Sequence, residues 1–498
     1  MNVNPITRLD YPDPDVIRVE DTYYMVSTTM HFMPGCEILQ SFDLVHWEHA
    51  TYVYETLDHT DAQQLKSGQN IYGQGMWAAS LRYHEGRFCI CFVANDTRKT
   101  YLYTSEKIDG PWKKQLIEGF YHDGSLLFDE DGRNYIVYGN DEIWITELNE
   151  DLTAPKKDGL HRLLVSDHKN PELGYEGSHI QKINGYYYIF LIHSLRDRWM
   201  RTEACFYSDS LEGEFTGGDV LCDDRGYCGQ GVAQGGIVDT PDGKWYAMLF
   251  QDSGAVGRIP ILVPVTWKDH FPVFGQNGHV PEEIEVHSTR PGYIYQPLVG
   301  SDDFCNGLLP RWQFNHDPDP RYYHLDALQG TYTITTREVC TELTQAVNTL
   351  TQRMSYPSCA AEVTVDASAL KEGDVAGLCA LQGCYAAVGI TKHHGKYEVL
   401  MLDKKEDGIL DMTEGTVVES HQMDFRLEAD FCNMKDEARC YYRVNKGDWL
   451  PIGTVHKLYF KLDHFTGCRF GLFCYAAEET GGSACFRDFK YYDVDEIS

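Results

Sequence analysis

The sequence has no long apolar run, no excess of basic residues and no CxxC pair of cysteines. About 18 consecutive apolar residues are needed to cross a bilayer, and the most apolar window, 375–390, is interrupted by Gln382 and by glycines. The net charge of −32 repels phosphate backbones and anionic lipid head groups. We therefore expect neither nucleic acid nor a membrane as a partner, whereas a neutral ligand is compatible with this charge.

The chain also begins without the basic and apolar regions of a secretory signal peptide, since Met1 to Asp10 is short and polar. Its 16 cysteines are scattered. Cys89 and Cys91 have the two-residue spacing of one strand face rather than that of a metal-ligand pair. These features predict a cytoplasmic protein with reduced, mostly buried thiols.

Amphipathic helical periodicity is scarce, and short apolar or alternating runs bounded by Gly, Asp and Asn occur throughout. This pattern predicts an all-β protein. At 498 residues the chain is too long for one ordinary core, so we expect two domains. Aromatic residues, 13% of the chain, favour strands and also supply flat faces on which sugar rings can pack.

Five segments within the first 295 residues share one pattern: an apolar strand, a polar turn and an aromatic-led strand. Several turns carry the hairpin dipeptides Glu-Gly, Asp-Gly or Asn-Gly. The segments start roughly 50 to 65 residues apart, the length of a four-stranded propeller blade. They begin at Asp13, Trp77, Asp123, Glu176 and Gln234. The pattern predicts a five-bladed β-propeller, with a β-sandwich of recurring hairpins as the alternative.

Equivalent positions of a rotational repeat converge, so these five residues are expected to face the central axis at one end. Three of them are carboxylates, and burying like charges together is unfavourable. Such a cluster is usually a functional site. Two carboxyl groups across a pocket are the minimal equipment for glycoside hydrolysis, and a third can keep the acid protonated. A metal site is the alternative use, although the spacing of a calcium-binding loop is absent.

Three motifs, in this order, resemble glycoside hydrolase family 43. The first is Tyr-Pro-Asp13-Pro-Asp, followed by Tyr-Tyr-x-Val-Ser-Thr. The second is His-Asp123-Gly-Ser-Leu-Leu-Phe-Asp-Glu-Asp-Gly, and the third is Tyr-Glu176-Gly-Ser-His-Ile-x-Lys-Ile-Asn-Gly-Tyr-Tyr. Trp77-Ala and His-Ser-Thr-Arg290-Pro-Gly-Tyr add to the similarity. The resemblance implies a five-bladed propeller and inversion at the anomeric carbon.

The resemblance also implies a role for each matching residue. Asp13 is then the general base that activates water, Glu176 the general acid, and Asp123 the residue that tunes the acid's pKa and orients it. Arg290 matches an arginine that contacts the sugar near the acid. Trp77 and the loop Met30 to Pro34, with His31 and Phe32, are expected to wall the terminal-sugar pocket.

One position departs from the family pattern. Gln234 stands where family members often carry a histidine that can coordinate a calcium ion or its waters, and glutamine does not titrate near neutral pH. We therefore predict no metal ligands and no required cofactor, and we leave a structural calcium ion as an open alternative. The loop at His31 also differs from the usual xylosidase composition, which leaves the preferred sugar open.

Short alternating strands continue after Gln296 in a different style, as in Gly330 to Thr336 and Phe470 to Tyr475. They predict a β-sandwich that resembles the concanavalin-like (jelly-roll) module of many family 43 enzymes. The resemblance implies that a loop of this module can lean over the active-site mouth. The predicted organisation is a catalytic propeller at 1–296, a linker at 297–302 and an accessory sandwich at 303–498.

The leading hypothesis is an exo-acting, inverting hydrolase that releases terminal β-D-xylose or α-L-arabinofuranose from short hemicellulose oligosaccharides. The alternatives are a non-catalytic carbohydrate-binding propeller, an interaction scaffold, and a related propeller glycosidase with another specificity. A fructosidase is disfavoured because its Asn-Asp-Pro-Asn-Gly and Arg-Asp-Pro segments are missing. The expected partner is a small oligosaccharide, and a homo-oligomer is compatible with the sequence.

Overall fold

Strands and turns make up the chain. The computed structural model describes residues 2–461 and 464–493; the parts of the predicted domains at residue 1, 462–463 and 494–498 lie outside the described residues. The described helical elements are three-residue 3₁₀ turns at Lys66–Gly68, Leu343–Gln345 and Cys432–Met434. In the described part of the chain, no helix has the length and apolar character to cross a membrane. The predicted all-β class is confirmed.

Five four-stranded antiparallel sheets follow one another and form a five-bladed propeller, as predicted. From the first blade to the fifth, the strands are Asp15–Val19, Thr22–Ser27, Gly35–Ser41 and Glu48–Tyr54; Met76–His84, Arg87–Ala94, Lys99–Ser105 and Lys113–Ile117; Ser125–Phe128, Asn134–Asn140, Glu142–Leu148 and His161–Ser166; Glu176–Ile183, Tyr186–Ser194, Arg201–Ser208 and Thr216–Leu221; and Ile237–Asp239, Trp245–Asp252, Arg258–Lys268 and Phe271–Phe274. The first strand of each blade contacts the first strand of a neighbouring blade. These first strands therefore lie innermost, around the axis.

The ring of blades is closed by the start of the chain. Asn2–Val3 pairs antiparallel with Glu283–Ile284, which follows the fifth blade. The Asn4 side chain donates to the carbonyl of Leu262 over 2.8 Å, within the fifth blade. This pairing forms a separate two-stranded sheet, and together with the Asn4 contact it fixes the start of the chain against the fifth blade.

Apolar side chains fill the space between neighbouring blades. Between the first two blades, Val26 and Ile38 pack with Leu81 and Phe92, and all four are fully buried. Each such side chain stabilises the fold by about 1.5–3 kcal/mol. The blades are thus held by their faces, and the innermost strand ends are free to carry polar groups.

The cysteines are free thiols in the described residues, and most of them are buried. Burial raises the pKa of Cys91 to about 12, so its reactive thiolate form is suppressed. The prediction of free, mostly buried thiols is confirmed, and the cytoplasmic location stays a prediction.

The second domain consists of two antiparallel sheets, in agreement with the predicted sandwich. In spatial order, one sheet contains Phe32–Met33, Gln313–Asn315, Leu350–Arg353, Arg469–Tyr475, Val375–Leu381, Tyr385–His393, Lys396–Lys404 and Leu410–Met412, and Thr416–Val418 also pairs with Lys396–Lys404. The other contains Tyr323–Asp326, Thr331–Thr335, Ser483–Asp493, Ser358–Asp366, Gln422–Asp430, Glu437–Val444 and Leu450–Lys457. The predicted linker at 297–302 falls between the last propeller strands and Gln313, and its bounds stay a prediction.

The two domains share one sheet and are joined by buried charged side chains. Phe32–Met33, which belongs to the propeller by sequence, pairs with Gln313–Asn315 of the second domain. The buried Arg353 forms an ion pair with Glu37 over 2.7 Å, and its guanidinium lies 4.1 Å from the ring centre of Tyr11. These contacts fix the second domain against the propeller.

Candidate active site

All five residues that begin the sequence repeats line one pocket, a cavity of about 190 Å³. The residues Asp13, Trp77, Asp123, Glu176 and Gln234 are joined there by Ala78, His122, Leu173, Trp199, Arg201, Arg258 and Phe465. This convergence agrees with the five-fold repeat, because the starts of the innermost strands reach the same end of the axis.

The backbone bends at every one of these five positions. Asp13, Asp123 and Gln234 have left-handed φ angles of 53°, 47° and 61°. The pairing register of the strands at Trp77 and Glu176 shifts by a bulge. Left-handed φ angles are uncommon in residues other than glycine. Both these angles and bulges turn a side chain away from the sheet face. The bends turn the five side chains from the blade surfaces into the pocket.

Glycine is required next to Glu176 because the fifth blade approaches closely. Gly177 has a φ of 62°, and a Cβ atom at this position would lie 2.7 Å from Cδ of Gln234. The Gly177 amide also donates to Oδ2 of Asp123 over 2.9 Å. The residue that follows Glu176 thereby ties the third, fourth and fifth blades together at the pocket.

Asp13 is buried and held by two hydrogen bonds. Thr28 donates from its hydroxyl to Oδ2 over 2.6 Å, and Arg258 donates from Nη1 to Oδ1 over 2.6 Å. With both oxygens engaged, the carboxylate cannot rotate away from the pocket that it lines. This is the arrangement expected of a positioned proton acceptor.

Asp123, which is buried, forms a triad of titratable groups with the partly exposed His122 and Glu176. Nε2 of His122 lies 3.5 Å from Oδ2 of Asp123 and 3.5 Å from Oε2 of Glu176, and Asn140 donates to the same Glu176 oxygen over 2.7 Å. Although burial opposes its charge, the negative charges of Asp123 and Glu176 and the contact with Glu176 raise the pKa of His122 to about 9. His122 is therefore a cation at neutral pH.

The two carboxyl groups respond differently to this environment. Burial raises the pKa of Asp123 to about 6, and the charges of Glu176 and Asp13 act in the same direction against the opposing charge of His122. Burial would also raise the pKa of Glu176, but the His122 contact and the charges of His122, Arg201 and Arg258 outweigh it, and the pKa is lowered. In the free site, the carboxyl that retains a proton to higher pH is therefore Asp123, the neighbour of the predicted acid.

The same triad has the spacing of a possible cation site, because its ligand atoms all lie within 4.8 Å of one another. Without an ion, the raised pKa of His122 favours its protonated form, and a bound metal would have to displace that proton. Proton transfer is the use that agrees with this charge state.

Arg82 joins the innermost strands of several blades. Arg82 donates from its guanidinium to Asp15, to Ser125 and to the carbonyls of Leu126 and Ile180, over 2.7–3.2 Å. These partners lie on the innermost strands of three other blades. These four oxygen atoms are thus bonded to a guanidinium.

Two arginines form a wall of the pocket, and the sequence argument did not find either of them. Arg258 contacts Asp252 from Nε over 3.2 Å in addition to Asp13. Arg201 lies with its Nε 3.0 Å from the other oxygen of Asp252. Both guanidinium groups are buried. Arg258 begins a strand whose next residues are mostly apolar, and this was the available signal; Arg201 is followed by Thr202 and Glu203 and carried no such signal.

Aromatic rings from both domains complete the wall. Phe465 of the second domain lines the pocket. Its ring centre is 5.4 Å from that of Trp77 and 4.0 Å from the guanidinium carbon of Arg258. The ring centre of Trp199 lies 5.4 Å from the guanidinium carbon of Arg201. The second domain therefore contributes a residue to the site.

The prediction that His31 and Phe32 wall the sugar pocket is wrong. Both are buried at the domain interface, outside the pocket lining. Phe32 is part of the strand that pairs with the second domain, and its ring packs 3.4 Å from the guanidinium carbon of Arg469. His31 packs against the ring of His316 at 4.8 Å. Pairing with the second domain takes this segment away from the axis.

The prediction for Arg290 is also wrong. Arg290 is about half exposed and forms an ion pair with Asp21 over 2.8 Å, with its guanidinium 4.1 Å from the ring centre of Phe42. It belongs to the segment after the fifth blade and contacts the turn between the first two strands of the first blade, at the end opposite the pocket. The pocket arginine that contacts the predicted base is Arg258.

Comparisons with known proteins agree with this geometry. The family model of glycosyl hydrolases family 43 matches residues 3–272, and that of the beta-xylosidase C-terminal concanavalin A-like domain matches residues 301–492. A beta-xylosidase of Formosa agariphila is 26% identical over 99% of this chain and 89% of its own length. A xylosidase/arabinosidase of Butyrivibrio fibrisolvens is 24% identical over 99% of both chains.

A solved structure, described as a bifunctional GH43-CE protein of Bacteroides eggerthii, superimposes with a TM-score of 0.91 and 42% identity. The match covers 100% of this chain and 64% of that one, so this chain spans slightly less than two thirds of that protein. A second structure, an engineered GH43 glycoside hydrolase, gives a TM-score of 0.88 at 26% identity over 99% of both chains.

Proposed function

The chain belongs to family 43 of the glycosyl hydrolases, and from this premise we propose that it is an exo-acting, inverting hydrolase of short hemicellulose oligosaccharides. The sugar released is a terminal β-D-xylose, a terminal α-L-arabinofuranose, or both. The observation that carries the proposal is the convergence of Asp13, Asp123 and Glu176 in one small pocket. The names of the related xylosidases and arabinosidases support the choice of pentoses.

In the proposed reaction, Asp13 accepts a proton from a water molecule, which attacks the anomeric carbon. Glu176 donates a proton to the glycosidic oxygen as the bond between that oxygen and the anomeric carbon breaks. Asp13 thus gains one proton and Glu176 loses one. Arg258 and Thr28 hold Asp13 in its acceptor orientation. Inversion follows because the water and the leaving group occupy opposite faces of the sugar.

Asp123 and His122 control the proton that Glu176 delivers. The pKa of Asp123 is about 6 because of burial, and His122 touches both carboxyl groups at 3.5 Å. We propose that one proton is shared by the carboxyl pair before the reaction and is passed to the leaving oxygen by Glu176. The apparent pKa values then belong to the pair rather than to either residue.

Exo action is supported by the way the second domain meets the pocket. Phe465 and Trp77 pack together at the cavity wall, and Phe465 comes from a different domain than the acids. A pocket walled in this manner accepts a chain end more readily than the middle of a polymer. A tetrasaccharide of β-linked xylose should therefore yield xylose and the trisaccharide first.

The test is hydrolysis of 4-nitrophenyl β-D-xylopyranoside and 4-nitrophenyl α-L-arabinofuranoside in parallel, with the anomer of the first product followed by NMR. Release of the inverted anomer is expected. Asp13→Asn should lower kcat by about 10³-fold or more with the nitrophenyl substrates, and Glu176→Gln should do so with xylobiose, whose leaving sugar needs a proton; unchanged thermal unfolding is the control for folding. A retained anomer would refute the mechanism, and sugar binding without any release would favour the non-catalytic alternative.

Three further expectations from the sequence stay predictions. We propose that the protein is cytoplasmic, that it uses no redox cofactor, and that hydrolysis does not depend on a bound metal. A homo-oligomer remains an expectation that a sedimentation experiment can test directly. The proposed binding partner is a small carbohydrate.

A further inference from the structure

Arg201 is a buried cation in the pocket wall that the proposed mechanism does not use. The residue is 2% exposed and lines the same cavity as the three carboxylates. Its Nε lies 3.0 Å from Oδ2 of Asp252, but neither Nε nor Nη1 has a well-directed hydrogen bond among the described residues. A guanidinium offers five N–H donors, so this one is poorly satisfied by the protein.

The neighbouring Arg258 shows what a satisfied guanidinium looks like in this site. It donates to Asp13 over 2.6 Å and to Asp252 over 3.2 Å. Asp252 therefore lies between the two arginines and holds them side by side. Buried charged groups without hydrogen bonds are costly, so the donors of Arg201 need acceptors that the protein does not supply. The cavity that Arg201 lines is where such acceptors can enter.

The charge of the pocket indicates a neutral acceptor rather than an anion. The cations His122, Arg201 and Arg258 share the site with Asp13, Asp123, Glu176 and Asp252. The pocket has no excess of positive charge, and a substrate carboxylate would meet three carboxyl groups across the cavity. A sugar hydroxyl accepts a hydrogen bond from a guanidinium without adding charge.

We propose that Arg201 is a specificity-determining residue that donates a hydrogen bond to one ring hydroxyl of the terminal sugar. This inference rests on the proposed function, because it assigns the sugar to that same pocket. Asp252 fixes the guanidinium before the sugar arrives, so little side-chain freedom is lost on binding. A site built to bond a particular hydroxyl rejects analogues that lack it, because its buried donor is left unpaired.

The test is a cycle between variants of the protein and variants of the substrate. The proteins are the wild type, Arg201→Met and Arg201→Lys, and the substrates are the 4-nitrophenyl pentoside that is turned over best and its monodeoxy derivatives. In the wild type, removal of the partner hydroxyl should lower kcat/KM by about 10²-fold. In Arg201→Met, kcat/KM for the parent substrate should fall by about the same factor. Removal of the partner hydroxyl from the substrate should then cause almost no further fall.

Arg290→Met is the matched control, because it removes a guanidinium that lies outside the pocket. It should keep the wild-type penalty for every deoxy derivative. If Arg201 had a merely structural role, Arg201→Met would lower kcat/KM for all substrates by one common factor. The loss of kcat/KM caused by each deoxy substitution would then be the same as in the wild type, and this result would overturn the inference. Faster turnover of a 4-nitrophenyl β-D-glucuronide than of either pentoside would also overturn it, since the guanidinium would then serve a carboxylate.

A binding measurement distinguishes failure of the proposed function from failure of the role assigned to Arg201. Calorimetric titration of the same variants with free D-xylose, L-arabinose and their deoxy derivatives does not require turnover. If the wild type hydrolyses no pentoside but shows the cycle in binding, the proposed function fails and the role of Arg201 stands. If the wild type hydrolyses a pentoside and no hydroxyl is coupled to Arg201 in either assay, the role of Arg201 fails alone.

Discussion

Nη1 of Arg258 lies 2.6 Å from Oδ1 of Asp13, in an ion pair in which both side chains are almost fully buried. The two residues are 245 positions apart in sequence, on the fifth and first blades, where the ring closes. The same guanidinium packs against Phe465 of the second domain at 4.0 Å. One arginine therefore links the predicted base, the closure of the propeller and the second domain.

The first prediction follows from this ion pair. Arg258→Met removes the partner of Asp13 and leaves a buried carboxylate with only Thr28 as a donor, so kcat/KM should fall by about 10²- to 10⁴-fold. Arg258→Lys should recover only part of the loss, because an ammonium cannot contact Asp13 and Asp252 in the same geometry. Steady-state kinetics with the chromogenic pentosides measures both. Comparable kinetics of Arg258→Met and the exposed-site control Arg290→Met would contradict the assignment.

The second prediction concerns the pH dependence of kcat/KM. The carboxyl pair Asp123 and Glu176 needs one proton, and burial sets the pKa of Asp123 at about 6. Activity should therefore decline as the pH rises through about 6, where this proton is lost. His122, whose pKa is about 9, is a cation throughout this range and lowers the pKa of both carboxyl groups.

His122→Asn removes that cation, so the carboxyl pair should keep its proton to higher pH. The alkaline limb of the kcat/KM profile is expected to move up by about one pH unit, with a lower maximum because Glu176 loses a contact. The measurement is a pH series with one pentoside for the variant and the wild type. A limb that stays in place, or moves to lower pH, would show that His122 does not set the proton of the pair.

Repeat geometry explains which site residues could be predicted from the sequence. Glu176 begins an innermost strand, Asp13 and Asp123 lie two residues before one, and a rotational repeat brings such positions together. Nothing in a local pattern connects Phe465 to them, because its position depends on how the second domain docks. Arg258 begins the third strand of its blade, so the alignment of repeat starts did not select it.

The errors at Arg290 and His31 have the same physical origin. The motif that contains Arg290 lies after the last blade, and only the folded structure shows that it contacts the end of the first blade opposite the pocket. His31 precedes the strand Phe32–Met33, whose partner, Gln313–Asn315, is about 280 positions away. Pairing at such a separation is invisible in local periodicity, although it decides whether a side chain faces the pocket or the interface.

The third prediction is that Arg82, and not a metal ion, stabilises the innermost strands around the propeller axis. Arg82→Met should leave Asp15 buried beside His179 without its guanidinium, and should lower the free energy of unfolding by about 3–5 kcal/mol. Arg18→Met removes a partly exposed ion pair with Asp239 and should cost about 1 kcal/mol or less. Denaturant unfolding compares the two.

Removal of divalent ions provides the complementary measurement. Dialysis against EDTA should change neither the wild-type Tm nor kcat, because the axial oxygens are bonded to Arg82. A drop in Tm that calcium restores would reveal a cation at the axis and refute the role assigned to this arginine.

The fourth prediction concerns Glu203, which is fully buried and accepts a hydrogen bond from the amide of the pocket residue Gln234 over 2.7 Å. Its Oε1 has no partner in the described residues, and burial raises its pKa well above the ordinary value. A carboxyl whose pKa is higher in the folded state contributes most to stability below the unfolded pKa of about 4.5. That contribution is lost as the pH rises toward the folded pKa.

Glu203→Gln keeps the acceptor for Gln234 and removes the titration. The variant should therefore unfold at a higher temperature than the wild type at pH 7, by roughly 2–6 °C, and the difference should shrink as the pH falls toward 4. Activity should stay within about threefold of wild type, because Gln234 keeps its position. Glu203→Ala, which loses the acceptor, should be less stable than Glu203→Gln at every pH. A Tm difference between Glu203→Gln and wild type that is constant from pH 4 to pH 8 would show that Glu203 does not carry the raised pKa.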